Sequence, residues 1–208
     1  MDNNTVPTAE NPTGTAAPQK LRLAVVVAST REGRFGPTVG DWFVPYARQH
    51  GDFEVDVIDI AGLDLPAVQP GWSTAPTPAL TELAGRLNAA DGFVVITPEY
   101  NHSFPGHLKL FIDLHRSEWK AKAVGFVSYG GVSGGLRSVE HLRQVFGELH
   151  CVAIRDGVSF HGAWDHFGEN GRAHEAAGAA GAAKTMLDQL AWWSQTLREG
   201  RTARPYSA

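Results

Sequence analysis

From residue 21 onward, hydrophobic positions fall into two patterns that alternate along the chain. Residues 21–28 (LRLAVVVA), 92–97 (GFVVIT) and 123–129 (AVGFVSY) are short apolar runs, rich in β-branched residues and bounded by polar loops. They read as buried strands. Residues 53–60 (FEVDVIDI) alternate with period two, which predicts a strand with one more polar face, and residues 150–154 complete a set of five. Between these runs the spacing changes to threes and fours. Val39, Trp42, Phe43 and Tyr46 predict a helix over 36–50; further helices are expected over 80–90, 105–115, 136–149 and about 173–199. Pro37 suits a first helical turn, whereas Pro45 predicts an end or a kink. The Pro-rich connection 63–78 is long enough to be a candidate functional loop. A second loop runs through residue 170 into the last helix.

Five strands alternating with five helices define an α/β domain, a parallel sheet covered on both faces. The pattern places one domain over 21–200, between an N-terminal tail (1–20) and a short C-terminal tail (201–208). In such sheets ligands collect at the carboxyl ends of the strands, where the strand order reverses. Attention therefore falls on the loops after the first, third and fourth strands.

Composition changes this picture little. With 208 residues, 43% hydrophobic and 19% charged, the chain suits one well-buried core. A net charge of −4 without a Lys/Arg run gives no nucleic-acid surface. No apolar stretch reaches the roughly 18 residues of a membrane span. Residues 1–20 have neither a basic leader nor an apolar block, so a mobile tail and a cytoplasmic location are expected. The single cysteine, Cys151, lies in an apolar run and reads as a small buried hydrophobe.

Each of the three loops carries distinct chemistry. After the first strand, Ser29-Thr30-Arg31-Glu32-Gly33-Arg34-Phe35-Gly36 brings hydroxyls, arginines and glycines to a helix N-terminus, which suits a phosphate dianion and equally a solvated capping loop. Neither G-x-x-x-x-G-K-[ST] nor G-x-G-x-x-G follows this strand, so a mononucleotide fits better than an NTPase or Rossmann dinucleotide site. After the third strand, Thr97-Pro98-Glu99-Tyr100-Asn101-His102-Ser103-Phe104-Pro105-Gly106 is a proline-restricted loop able to face a flat heterocycle. Ser103 and Pro105 also suit a plain helix start. After the fourth, Ser128-Tyr129-Gly130-Gly131-Val132-Ser133-Gly134-Gly135 lets a ligand approach the backbone closely, or turns with positive φ.

Taken in order, STREGRFG, PEYNHSFPGHLKLFID and SYGGVSGGLRSVEHLR resemble the NADPH-dependent FMN reductase family over about residues 21–155. The resemblance implies a flavodoxin-like three-layer sandwich with strand order 2-1-3-4-5. It also implies bound FMN, NADPH or NADH as electron donor, and a small acceptor such as free flavin, a quinone, an azo compound or a metal oxyanion. Family members build the flavin site at a dimer interface, so a homodimer or homotetramer is expected. By this resemblance Ser29 and Arg31 hold the FMN phosphate, with Thr30 and the backbone of Arg34, Phe35 and Gly36 around it. Pro98, Glu99, Tyr100 and Asn101 line the ribityl chain and ring, with Ser103 nearby, and Ser128, Tyr129, Gly130 and Gly131 flank the other side. The related Ser-x-Arg-x-x-Ser-x-Asn phosphate loop has Arg34 and Gly36 here in place of its second Ser and its Asn, which leaves the phosphate donors beyond Arg31 open.

No catalytic side chain is nominated, because the cofactor carries the hydride chemistry. A flavodoxin-type carrier is the first alternative, disfavoured by the modest charge. The second is a serine hydrolase, since Gly131–Gly135 satisfies G-x-S-x-G around Ser133, with Asp156 or Asp165 and His161, His166 or His174 downstream. His161, His166 and Asp165 lack the spacing of a metal site, so none is expected. Trp72, Trp119, Trp164, Trp192 and Trp193 offer large apolar surfaces, for an interface or for the core.

Overall fold

A computed structural model describes residues 19–71, 73–168, 173–174 and 177–207. The elements are β1 (Leu21–Val27), α1 (Gly36–Gln49), β2 (Phe53–Asp59), α2 (Pro78–Ala89), β3 (Gly92–Pro98), α3 (Gly106–Asp113), β4 (Ala123–Gly130), α4 (Leu136–Glu148), β5 (Val152–Ala153), β6 (Val158–His161) and α5 (Ala177–Ala203). All strand pairings are parallel, in the order β2-β1-β3-β4-β5, with β6 also on β4.

Strand alternation sorts the core into two layers. Leu23, Val25 and Val27 of β1 and Val94 and Ile96 of β3 pack toward α1 and α5, with Phe43, Met186 and Leu190. Ala24 and Val26 of β1 and Phe93 and Val95 of β3 face Leu83, Leu87, Phe111, Leu142 and Phe146 of α2, α3 and α4. Every residue of β3 and β4 is buried, as expected for central strands covered on both sides. Each Val, Leu, Ile, Phe or Met among these contributes about 1.5–3 kcal/mol when fully buried. The result is a three-layer α/β sandwich.

Three details differ from the sequence reading. First, α1 does not end at Pro45 but continues to Gln49. Pro45 and the residue whose carbonyl it leaves unbonded, Asp41, both lie on the exposed face, where water can take the acceptor. Second, the fifth strand is only Val152–Ala153, and the stretch read as a loop contains β6. The edge strand is broken at Gly157, where an added Cβ would lie 2.9 Å from the Phe126 carbonyl. It then resumes with Val158 and Phe160 inward, a period-two signal too short to stand out. Third, α5 continues to Ala203, past the expected Glu199.

The described residues of the Pro-rich connection before α2 stay irregular and border a cavity of about 470 Å³ shared with Asp113–Arg116, whose lining includes none of the β1, β3 or β4 loops. Trp119 is fully buried, Trp192 is largely exposed and Trp193 partly buried. Trp72 and residues 1–18 lie outside the described residues. Cys151 is buried against the Lys122 carbonyl at 3.1 Å.

Candidate functional site

The strand order reverses between β1 and β3, and the loops leaving β1, β3 and β4 meet at that end of the sheet. In the first loop, Arg34 N–H donates to the Arg31 carbonyl (3.1 Å), and Gly33 takes φ 65°. Both guanidinium nitrogens of Arg34 reach Asp59 at the end of β2, each at 2.6 Å, and one also donates to the Ser29 carbonyl at 3.0 Å. This bidentate pair pins the loop across β1. Arg31 instead lays its guanidinium over the Tyr100 ring, 5.4 Å from the centroid. Phe35 is the N-cap of α1 and supplies no side-chain cap, so the helix presents its first amides and positive dipole end.

Gly36 is indispensable at that point. A Cβ there would fall 2.1 Å from Ser29 Oγ and 3.1 Å from Tyr129 Oη. Both hydroxyls are buried and neither has a partner at hydrogen-bonding geometry among the described residues. Burial pushes the Tyr129 phenol up, partly eased by the neighbouring Ser29 hydroxyl, so it stays protonated.

The second loop folds as a two-residue hairpin. Tyr100 and Ser103 exchange backbone hydrogen bonds at 2.8 and 3.1 Å, while Asn101 (φ 49°) and His102 (φ 71°) are both left-handed, as in a type I′ turn. The Ser103 hydroxyl bonds His141 Nδ1 of α4 at 2.9 Å rather than capping α3.

The third loop is bound to the second through a carboxylate. Glu99 accepts from Ser133 Oγ (2.5 Å), the Arg137 amide (3.2 Å) and the Arg137 guanidinium (3.0 Å). Burial pushes its carboxyl up, but the bonds from Ser133 and Arg137 outweigh that and hold it below its ordinary value. The backbone adds Glu99 N–H to the Tyr129 carbonyl (3.1 Å), and Ser138 Oγ donates to the Pro98 carbonyl (3.0 Å). Beneath, the wholly buried Ser128 donates to the Gly134 carbonyl at 2.8 Å. Gly134 and Gly135 take positive φ, and a Cβ on Gly130 would press on the Gly135 amide at 3.3 Å. Close approach of chain to chain thus requires these three glycines.

The structure thus brings the candidate residues to one end of the sheet. Ser128 is engaged under its own loop. The Tyr129 side chain packs on the α1 side, 6.0 Å from the Phe35 ring. Asp59, Arg137, Ser138 and His141 were missed by motif reading. Their partners come from distant elements, and only Arg137, one turn past the glycines, carried a local signal.

The residues do not support an acyl-transfer site. Ser133 donates to Glu99, His161 Nδ1 bonds the Val132 carbonyl (2.9 Å), and His166 bonds the His161 carbonyl (2.9 Å). Asp156 is engaged by Arg155 and Gln189. Among the described residues no group of three or more His, Cys, Asp or Glu is placed to hold a metal ion.

A doubly wound sheet with an uncapped helix N-terminus, a Pro-Glu-Tyr-Asn hairpin and a glycine loop at its switch point defines a flavodoxin-like α/β protein with its candidate site at that end. The model of the NADPH-dependent FMN reductase family matches residues 21–165, and the chain belongs to that family. It is 34% identical to a quinone reductase of Escherichia coli over 143 residues, 65% of this chain and 74% of that protein. It is 30% identical to an NAD(P)H-dependent FMN reductase of Schizosaccharomyces pombe over 129 residues, 57% of this chain and 64% of the relative's length. Among solved structures, the flavoenzyme NAD(P)H:(acceptor) oxidoreductase FerB from Paracoccus denitrificans shares the fold, with a TM-score of 0.69 at 22% identity, covering 85% of this chain and 98% of that one.

Proposed function

We propose that the protein is an FMN-dependent oxidoreductase that takes hydride from NADPH or NADH and passes electrons to a small acceptor of the quinone or flavin type. The observation that carries this reading is the convergence of the three loops. Arg31 lies over Tyr100, Glu99 ties the hairpin to the glycine loop, and two buried hydroxyls face the open N-terminus of α1. Anion chemistry at one end, with the hairpin and the side-chain-free glycine loop at the other, suits a phosphorylated three-ring heterocycle. Bound FMN would supply the two-electron redox chemistry that links the nicotinamide to the acceptor.

The chain's own residues bind and orient. Ser29, Arg31 and the amides of Phe35 and Gly36 hold the phosphate end, with Thr30 and the Arg34 backbone beside them. Pro98, Glu99, Tyr100 and Asn101 present the hairpin to the ring, with Ser103 fixing it to α4; Gly130 and Gly131 keep the opposite wall free of side chains. Val132, Leu136 and Trp164 are exposed around these loops. An apolar rim of this kind supports both acceptor stacking and a second copy of the chain, and we infer a homodimer acting in the cytoplasm.

Steady-state assays test the activity. The FMN-loaded protein is expected to oxidise NADPH or NADH only when benzoquinone or free FMN is supplied. Absence of turnover with both donors across quinone and flavin acceptors would overturn the assignment.

A further inference from the structure

Resting on the flavin reading above, we propose that Tyr129 Oη, together with Ser29 Oγ, donates to the phosphate of the bound flavin, so that Tyr129 serves the anion end of the site and not the ring. Three observations carry this.

The first is placement. Tyr129 lies at the end of β4 but its side chain belongs to the layer under α1, and Phe35, the α1 N-cap, packs against its ring. Its hydroxyl and that of Ser29 approach the point where a Cβ of Gly36 would be, at 3.1 and 2.1 Å. Only glycine at the first residue of α1 leaves room for them beside its amides.

The second is their unsatisfied state. Tyr129 is 4% exposed and Ser29 is 0% exposed, and the two hydroxyls are neighbours, yet neither has a partner at hydrogen-bonding geometry among the described residues. Buried hydroxyls are normally paired. Two orphan donors at an uncapped helix N-terminus make an acceptor site for an anion.

The third is the state of Arg34. Its guanidinium is already shared between Asp59 and the Ser29 carbonyl. That contact holds Ser29 in place but commits the loop's second arginine elsewhere, which leaves neutral hydroxyls to complement Arg31 and the helix amides.

The test is a pair of titrations on Tyr129→Phe, following flavin fluorescence with FMN and with riboflavin, which lacks the phosphate. A neutral donor to a phosphate oxygen corresponds to about a ten- to hundredfold loss in affinity. Tyr129→Phe should therefore raise the FMN Kd by that factor and leave the riboflavin Kd within about twofold. The melting temperature of the flavin-free protein should not fall, because the deleted hydroxyl has no partner there. Ser29→Ala should show the same FMN-selective loss, and Tyr129→Met, which also removes the phenol, repeats the test if Tyr129→Phe does not fold. Equal weakening of both flavins, or an unchanged FMN Kd, would overturn the assignment of Tyr129 while leaving the flavin reading intact. A wild-type protein that binds neither flavin would overturn both.

Discussion

Replacing Glu99 by Gln tests how the hairpin and the glycine loop are held together. The side chain is only 8% exposed and accepts three hydrogen bonds, one from Ser133 at 2.5 Å and two from Arg137. A hydrogen bond to a charged group contributes roughly 1.5–3 kcal/mol. Arg137 is half exposed, so its ion pair adds only about 0.2–1 kcal/mol. Glutamine keeps one carbonyl acceptor but turns an NH2 toward a donor, so Glu99→Gln should cost about 2 kcal/mol. For a chain of this size that lowers the melting temperature by roughly 4–8 °C. The loss also carries a pH signature. The folded Glu99 carboxyl sits below its ordinary value of 4.5, so the unfolded chain takes up this proton first as the solution is acidified. Its stabilisation is complete at pH values above 4.5 and disappears as pH falls through the folded value. Thermal melts followed by circular dichroism at pH 7, 5, 4 and 3 should show the gap between wild type and variant closing in acid. A gap that stays constant to pH 3 would refute the ionic account of the clamp, and equal stability at pH 7 would refute the clamp itself.

Two further outcomes follow from buried groups. Lys122 is 5% exposed and donates to the Leu87 and Asn88 carbonyls at the end of α2. Burial, reinforced by Arg201, lowers its pKa from 10.5 to about 8. The unfolded chain therefore holds this proton more tightly, and stability relative to Lys122→Met should rise between about pH 8 and 10.5, by up to about 3 kcal/mol, in denaturant titrations. A flat difference would contradict the burial argument; Cys151 is common to both proteins, so its own titration largely cancels. In the glycine loop, Gly135→Ala places a Cβ 2.8 Å from the Tyr129 amide at φ 84°, whereas one on Gly131 meets nothing within 4 Å. Melting curves should show Gly135→Ala losing about 2–3 kcal/mol and Gly131→Ala within about 0.5 kcal/mol of wild type.

Much of the fold was legible because its signals are local. The β1, β3 and β4 runs are apolar throughout, as strands buried on both faces must be, and the helices between them announce themselves by spacing. The edge was harder to read. β5 and β6 share one edge of β4, broken by Gly157, and neither piece is long enough for its alternation to stand out. Pro45 does not end α1 because it sits on the exposed face, which propensity alone ignores. The loops of the site were visible as motifs, yet their internal chemistry was not. Whether Arg34 faces a ligand or Asp59 depends on a residue 25 positions away at the end of β2. The orientation of Tyr129 depends on strand parity at the end of β4, and its access to α1 depends on Gly36 lacking a side chain. Such pairings arise only once the sheet has assembled.

The central claim is that the loops after β1, β3 and β4 form one FMN site, and equilibrium titration of the purified, flavin-stripped protein with FMN tests it most directly. Quenching of flavin fluorescence should saturate at one FMN per chain, and Arg31→Glu, which sets a carboxylate at the anion end on an exposed side chain, should abolish it while the protein stays folded. Binding by Arg31→Glu as tight as by the wild type would show that FMN, wherever it sits, does not use these loops.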